Sequence, residues 1–506
     1  MSTEDQIIHK IKGEIGEDHL HDASNYRGEC DDLYYPPDTE SFARLLSALY
    51  ADGKKITIAG ARTGLTGGCV PEGGALISTG RMNRIGPFDR ERETVNCGPG
   101  VLLADMQEHL RQHGYFFPAD PTETLCTIGG VVANNSSGAR SYKYGSARGF
   151  VTTAEVVFAD GARLRLQRCD VVEQGGYFSF EVDGKPFTLP APMLKMPSTK
   201  NAAGYYFKPG CDLLDLLIGS EGTLCVFTEV TLKVLPLPER LLSCVAFFES
   251  VEGALGFVSK SRRHEVTKSQ RHGDTETRSH EDTETRSLEA VRALEFFDGN
   301  SLGFLRDDFP KVPEGSAAAV WFEVEATNEN FDEVVTEWAG RLEAVGVPLD
   351  EVWMPVDPAG VEEIRKFRHA VSWKVSEYIK QKGLRKLGTD TAVPIEVFDD
   401  YYRWAIAMVR EAGIKYVAYG HFGDCHLHLN MLPKDNAEYA TGKDIYLGLC
   451  RKAVELGGTV SAEHGIGKLK KEYLKLMYGE EGIEEMRKVK RYLDPKNLLN
   501  TGNLFD

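Results

Sequence analysis

The feature that most restricts the fold is a glycine-rich loop set between two strands. Lys55-Ile56-Thr57-Ile58-Ala59 reads as one strand and Ala75-Leu76-Ile77-Ser78 as the next. Between them runs Gly60-Ala61-Arg62-Thr63-Gly64-Leu65-Thr66-Gly67-Gly68-Cys69-Val70-Pro71. Four glycines and two threonines in these twelve residues let a backbone approach an anion closely with its N–H groups turned inward. Neither common phosphate fingerprint fits. There is no Gly-Lys-Ser/Thr as in a P-loop, and no G-x-G-x-x-G opens a helix as in a dinucleotide fold. A loop that leads into a further strand is a different geometry. The competing reading is a flexible glycine turn.

The loop has company. Val95 to Val101 reads as a strand and turn, and a helix from about Leu103 to Gln112 leads to Phe116-Phe117-Pro118-Ala119-Asp120-Pro121. Thr127 is predicted to cap a short helix of small residues in Thr127-Ile128-Gly129-Gly130-Val131-Val132-Ala133-Asn134-Asn135-Ser136-Ser137-Gly138, followed by Tyr144-Gly145. The N-terminus of that helix suits a phosphate. The strand Thr153 to Phe158 ends in an Asp160-Gly161 hairpin turn. Leu213 to Ile218 runs into Gly219-Ser220-Glu221-Gly222-Thr223-Leu224, and a strand from Val226 to Val234 closes at Pro236 and Pro238. Repeated close-approach glycines within one α+β region point to a single long ligand containing a pyrophosphate. Upstream, residues 1–27 read as a helix and then a loop, around Ile7, Ile8, Ile11 and Ile15. Thr39 is predicted to cap a helix bearing Phe42, Leu45, Leu46 and Leu49.

A chain of 506 residues is too long for one core. The net charge of −17 argues against nucleic acid or an anionic membrane as the main partner. No apolar run has the length of a membrane-spanning helix, and Met-Ser-Thr-Glu-Asp-Gln resembles neither a secretion signal nor a transit peptide. The ten cysteines include no Cys-x-x-Cys pair, so neither a disulfide framework nor an iron–sulfur ligand set is indicated. The expected compartment is reducing and cytoplasmic, with peripheral attachment to a membrane left open. Residues 261–287 carry Asp-Thr-Glu-Thr-Arg-Ser twice, at 274–279 and 282–287, and read as a disordered or helical surface insertion. Farther on, Ala318 to Glu325 is a strand, and helices are predicted over roughly Asn330 to Val345 and Gly360 to Lys382.

The second feature is Tyr419-Gly-His-Phe-Gly-Asp-Cys-His-Leu-His-Leu-Asn430. Leu427, Leu429 and Met431 alternate with His426, His428 and Asn430, the period of a strand, so the second set shares one face. His421 reaches them around the turn at Gly423 and Asp424. Converging imidazoles are the material of a zinc-type site, and Ser461-Ala462-Glu463-His464-Gly465-Ile466-Gly467-Lys468 offers a carboxylate. The other reading is a strand end with solvated imidazoles. On the predicted helix that ends near Lys382, Arg365 and Arg368 are three residues apart and share a face. Either these arginines and Lys386 bind an anion or they are solvated surface charges.

The glycine loop 60–68, Pro118-Ala119-Asp120-Pro121, Thr127-Ile128-Gly129-Gly130, Asn134 to Gly138 and Gly219-Ser220-Glu221-Gly222 follow one another as in the FAD-binding domain of the vanillyl-alcohol-oxidase flavoprotein superfamily. From about Leu33 onward the chain resembles the D-2-hydroxyacid dehydrogenase branch of that superfamily. The resemblance implies an α+β fold. It comprises a PCMH-type FAD-binding domain of two α/β subdomains and a substrate (cap) domain with an antiparallel sheet flanked by helices. The expected bounds are an N-terminal helical segment 1–32, the FAD domain 33–238, the cap 239–455 and a C-terminal segment 456–506 that returns to the FAD domain. FAD contacts are implied for Gly60, Arg62, Thr63, Gly64, Leu65, Thr66, Gly67, Gly68, Pro118, Asp120, Pro121, Thr127, Gly129, Gly130, Asn134, Ser136, Gly138, Gly145, Glu221, Gly222 and Asn503. The first loop has no histidine for a tether, so non-covalent FAD is expected.

The pattern Gly-His-x-Gly-Asp-Gly-Asn-x-His of the same branch, with its later Glu-His-Gly, matches His421, His428 and Glu463 to the ligands of a divalent metal, zinc in the first instance. His426 stands where many members have Asn, a departure also seen among relatives, as a further polar contact or an alternative ligand. Arg368 and Lys386 match carboxylate-binding positions, and Asn430 and His464 match substrate contacts, His464 as general base. The implied reaction is oxidation of a D-2-hydroxy acid (D-lactate, D-2-hydroxyglutarate or glycolate type) to the 2-oxo acid, with hydride passing to flavin N5. No second nucleotide motif occurs, so electrons are expected to go to a quinone, a cytochrome or an electron-transferring flavoprotein. The alternatives are an oxidase that uses O2, an FAD-containing electron-transfer subunit and a zinc-dependent hydrolase. Oligomeric state is left open, a homodimer included.

Overall fold

The computed structural model describes residues 6–270, 291–355, 357–383 and 387–506. The chain divides into two compact units. The first comprises Met1–Gly138, Ser146–Leu237 and Gly457–Asp506, and the second Ala139–Gly145 and Pro238–Leu456.

The first unit holds two main sheets. In one, the strands run in the order Ile8–Ile11, Asp32–Tyr35, Ala75–Ser78, Ile56–Ala59. The last three are mutually parallel, and Ile8–Ile11 pairs antiparallel with Asp32–Tyr35. A parallel pair needs a crossover, and the helix Thr39–Ala51 lies between Asp32–Tyr35 and Ile56–Ala59 in the chain. The helix buries Phe42, Leu46 and Leu49 with Ile56, Ala75 and Ile77. Its cap is Asp38, which accepts from Ser41 N, one residue before the predicted Thr39. The expected N-terminal helix is also corrected: residues 8–11 form a strand, and only the short 3-10 turn Glu17–His19 is helical there.

The other sheet is antiparallel, in the order Ile85–Asp89, Thr94–Cys97, Val226–Lys233, Val151–Val157, Arg163–Gln167. Val151–Val157 and Arg163–Gln167 form the predicted hairpin, with Gly161 at φ +89°. The C-terminal residues are stitched into the first sheet. Leu499 bridges Ile56 in parallel, and Asn500 Oδ1 accepts from Ile58 N.

The second unit is one antiparallel sheet with helices packed on it. Its main path is Arg240–Phe248, Ala318–Ala326, Val291–Asp298, Tyr416–Gly420, His426–Met431, Leu387–Gly388, and the short strand Thr391–Ala392 also pairs with His426–Met431. Every residue of Val291–Asp298 is buried. Phe297, Trp321, Val245 and Val417 pack with Ile364, Phe367, Val371 and Val375 of the helix Pro358–Gln381. The helix Val251–Gln270 covers the start of the predicted insertion, and its duplicated hexapeptide lies outside the described residues. All ten cysteines are unpaired, in line with the absence of a disulfide framework. Among the described residues no helix is long and apolar enough to cross a membrane.

Candidate functional sites in the two units

In the first unit the glycine loop leaves the end of strand Ile56–Ala59. Its far end is pinned by Asp22, a buried carboxylate that accepts from Gly67 N at 2.8 Å and from Ser24 N at 3.0 Å. Burial pushes the Asp22 carboxyl above the ordinary range, and these hydrogen bonds oppose it. The Thr66 carbonyl accepts from Lys468 N and Leu469 N. The intervening N–H groups of Arg62, Thr63, Gly64, Leu65 and Thr66 have no protein acceptor among the described residues. A run of N–H groups held without acceptors is a cradle for an anion, and the donor set fits the diphosphate of a flavin nucleotide. Arg62, at φ +60°, turns its own side chain to the Asp18 carbonyl.

The glycines implied in cofactor binding separate into two kinds. A Cβ on Gly60 would lie 2.2 Å from Thr127 Oγ1, and one on Gly138 would lie 1.9 Å from the Asp120 carbonyl oxygen. These glycines let protein segments close on one another. A Cβ on Gly64 would meet only Asp22 Oδ2, at 3.8 Å, which leaves Gly64 open to a ligand.

Thr127 caps the helix Ile128–Ala133 by accepting from Gly130 N, as predicted. At that helix's other end, Gly219 N and Glu221 N donate to the Val132 and Ala133 carbonyls. The segment Phe117 to Pro121 is held by a reciprocal pair between Gln107 and the Phe117 backbone. Asn134 donates its amide to the Gly130 carbonyl, and Ser136 N donates to the Val131 carbonyl. Gly145 falls in the short stretch that groups with the second unit.

Glu221 and Asn503 brace these loops. Glu221 is buried and accepts from Ile466 N and Gly467 N, both at 2.6 Å. Burial raises its pKa to about 7 against those two bonds. Asn503 donates to the Gly68 carbonyl at 2.8 Å and accepts from Lys468 Nζ at 2.9 Å. Asn500 donates to the Glu221 carbonyl beside Gly222. Glu463 and His464 lie in the same loop as Ile466 and are half-buried. Glu463 Oε1 accepts from Lys200 Nζ at 2.5 Å and from Ser137 Oγ at 3.1 Å.

In the second unit the predicted histidine strand is His426–Met431, and the turn before it is the 3-10 segment Phe422–Asp424. Phe422 anchors the turn, stacked on Phe296 at 4.3 Å between centroids. Cys425 closes it at φ +55°, with His426 N donating to the His421 carbonyl. Buried Arg262 braces the turn through the Phe422 carbonyl, Cys425 Sγ and Asp399.

The three rings converge. Centroids are 5.2 Å apart for His421 and His426, 5.3 Å for His421 and His428, and 4.2 Å for His426 and His428. One potential ligand atom from each lies within 4.8 Å of the others. The solvated-imidazole reading is overturned, since His421 and His426 are buried and His428 is half-buried.

Each ring has an oxygen behind it. His421 Nδ1 lies 2.5 Å from Glu295 Oε1, His426 Nε2 lies 3.0 Å from Asp390 Oδ1, and His428 Nδ1 lies 3.4 Å from the Thr389 carbonyl. Carboxylate and carbonyl oxygens only accept, so each of these ring nitrogens donates. In its neutral form each imidazole then carries its lone pair on the other nitrogen, the tautomer that metal ligation requires. The donor set fits a divalent metal of the zinc type.

The sheet explains how Asp390 arrives there. The strands Leu387–Gly388 and Thr391–Ala392 both pair with His426–Met431, with a break between them. The Thr389 hydroxyl fills the break by donating to the Leu427 carbonyl and accepting from Leu429 N. Asp390 is thus carried beside His426. Arg368 is buried and donates to Glu295 Oε2 at 3.3 Å, which joins it to the His421 carboxylate, whereas Arg365 is exposed beside Glu362. Asn430 is buried on the histidine strand, opposite Gly388 and Val417. Lys386 lies outside the described residues. Sequence reading missed Glu295, Asp390 and Asp22. The signal for Glu295 is an acidic residue inside the otherwise apolar run Ala293-Leu294-Glu295-Phe296-Phe297.

Comparison with known proteins bears on both regions. The family described as FAD binding domain matches residues 32–167, and FAD linked oxidases, C-terminal domain, matches residues 283–504. A D-lactate dehydrogenase of Anaerostipes hadrus is 29% identical over 98% of this chain and 94% of its own length. A glycolate oxidase subunit GlcD of Bacillus subtilis is 28% identical over 95% and 90% of the two chains. A D-2-hydroxyglutarate dehydrogenase of Stutzerimonas stutzeri is 26% identical over 94% and 90%. A solved structure of alkyldihydroxyacetonephosphate synthase superposes with a TM-score of 0.63 at 16% identity, over 94% of this chain and 76% of its own, a likeness of fold alone.

Proposed function

Because this chain belongs to the FAD-linked oxidase superfamily, we propose that it oxidises a D-2-hydroxy acid of the D-lactate, D-2-hydroxyglutarate or glycolate type to the 2-oxo acid. The oxidation is metal-assisted, and the electrons leave to an acceptor other than NAD. The observation that carries the reading is the cluster of His421, His426 and His428, each with an oxygen behind its outer nitrogen.

When bound, FAD supplies the acceptor for the C2 hydride, and a divalent metal supplies Lewis acidity toward the substrate oxygens. In this reading the N–H groups of the loop 60–68 hold the nucleotide's diphosphate, with the segments 118–121 and 127–138 beside it. His421, His428 and Glu463 hold the metal. Arg368, with Lys386, binds the substrate carboxylate, a group the planar guanidinium matches with two parallel bonds. Asn430 contacts the substrate. His464 takes the hydroxyl proton, since imidazole is the side chain that exchanges protons near neutrality. The C2–H bond breaks with its electron pair leaving as hydride, the O–H proton goes to His464, and the C2–O bond becomes a carbonyl. A quinone, a cytochrome or an electron-transferring flavoprotein then takes the two electrons.

An anaerobic absorbance spectrum of the metal-loaded protein tests this, before and after D-lactate, D-2-hydroxyglutarate and glycolate. Bleaching of the flavin band by one of them is expected and selects the substrate. A flavin band unmoved by all three would discard the reaction while keeping the fold. Peroxide formed on readmitting air would point to oxygen as the acceptor.

A further inference from the structure

We propose that His426 is a third imidazole ligand, so that the sheet of the second unit presents three neutral nitrogens to one ion: Nε2 of His421, Nδ1 of His426 and Nε2 of His428. The inference rests on the metal-assisted reading and deepens it. Many members of the branch have Asn where this chain has His426, so a third imidazole goes beyond the two histidines of the branch's pattern.

Three observations carry it. His426 is closer to His428 than His421 is, with ring centroids 4.2 Å apart against 5.3 Å. Two nitrogens on one tetrahedral zinc, each about 2.1 Å from it, are about 3.4 Å apart. Ligand atoms of all three rings already lie within 4.8 Å of one another, so side-chain adjustment alone closes the set.

The second observation is the partner of the ring. Asp390 and His426 are both fully buried, and Asp390 Oδ1 faces His426 Nε2 at 3.0 Å. A carboxylate behind the outer nitrogen fixes the tautomer and raises the basicity of the inner one, as outer partners of metal-bound histidines do. His426 thus has the same support from Asp390 that His421 has from Glu295.

The third is rigidity. Position 426 is the first residue of a strand paired on both sides, with Ala392 opposite it, and the Thr389 hydroxyl secures the neighbouring ladder. The Arg262 braces on Phe422 and Cys425 fix the turn immediately before it. A ring held in this way serves a coordination geometry better than a mobile one. The number of imidazoles around the ion is the distinguishing quantity, three here and two in the family set. The competing account is a buried Asp390–His426 pair that supports the fold and touches no metal.

The test uses the FAD-loaded protein stripped of metal by a chelator. Zn2+ affinity is measured by competition with a chromophoric chelator, for wild type, His426→Asn and Asp390→Asn. Loss of at least about 100-fold is expected for His426→Asn, and about 10–100-fold for Asp390→Asn. Zinc affinity within about threefold of wild type in a flavin-loaded His426→Asn would overturn the proposal. If that variant fails to fold, X-ray absorption at the zinc edge of the wild-type protein decides. Three imidazole nitrogens support the third ligand, and two refute it. Wild-type protein that takes up no zinc would remove the metal-assisted reading as well. Zinc held by two imidazoles, in protein whose flavin is still bleached by a hydroxy acid, would remove this inference alone.

Discussion

The two candidate sites are made from opposite parts of the residue. The first unit offers backbone: five consecutive N–H groups from Arg62 to Thr66, without a protein acceptor among the described residues, between anchors at Gly67 and at the Thr66 carbonyl. The second offers side chains: three imidazoles, each set by an oxygen behind it. A backbone site is encoded by what is missing, the Cβ atoms that would fill it. A side-chain site is encoded by buried acceptors that no local pattern announces. The anchors differ in range too. The glycine loop is held by residues some four hundred positions later, Lys468 and Asn503. The histidines sit on a strand and the turn that feeds it, with distant elements supplying only the outer oxygens. The first site should therefore fail through added atoms and the second through removed ones.

The largest effect should come from removal in the second unit. His428→Ala should lose zinc and at least about 10³-fold in hydroxy-acid oxidation, since Lewis-acid assistance contributes several kcal/mol. Its flavin spectrum should stay at full occupancy, because no backbone of the first unit changes. Metal analysis beside the flavin-to-protein absorbance ratio checks both halves. Full activity in a zinc-free His428→Ala protein would sink the metal's role and leave the comparison with one working site.

The converse change is an added atom. Gly60→Ala places a Cβ 2.2 Å from the hydroxyl of Thr127 that caps the helix Ile128–Ala133. The expected cost is about 1–3 kcal/mol of overpacking, with up to about 1 kcal/mol more from a displaced cap. Flavin affinity should fall and zinc affinity should not. Adding Thr127→Ala removes the obstructing atom, so the double variant should recover part of the flavin binding, a coupling that a double-mutant cycle measures. Losses that simply add would show that Gly60 and Thr127 do not touch.

What the sequence made legible follows the same division. The alternation that put His426, His428 and Asn430 on one face is a local period, and the strand His426–Met431 is there. The Thr127 cap and the 160–161 turn are local chemistry and also hold. The partners Glu295, Asp390 and Asp22 could not be read, because each acts at a distance of 36 or more positions and an isolated acid looks the same in any chain. The N-terminal error has a related cause. Ile8, Ile11 and Ile15 recur at helical spacing, yet pairing with Asp32–Tyr35 decided the conformation, so a tertiary contact overrode the period. At Asp38 the miss was one position: Asp and Thr both cap well, and Asp38 is the one with extended backbone.

The smallest effect tests a brace, and pH supplies the probe. Glu221 is buried and its pKa is raised to about 7 from an ordinary 4.5, with burial as the largest cause. An acid whose folded pKa is raised binds a proton more tightly folded than unfolded. Between about pH 4.5 and about pH 7 the folded state then holds more proton than the unfolded one, so this residue's contribution falls as pH rises through that window. The slope is at most about 1.4 kcal/mol per pH unit. Glu221→Gln cannot ionise, so wild-type stability relative to the variant should decline across the window and be flat outside it. The amide offers one oxygen to Ile466 N and Gly467 N where the carboxylate offers two, which adds a constant offset and no slope. Thermal unfolding followed by flavin fluorescence at a series of pH values gives the difference directly. Parallel curves would mean that the two N–H donors fully offset the burial, and that the loop carrying Glu463 and His464 is held by an ordinary carboxylate.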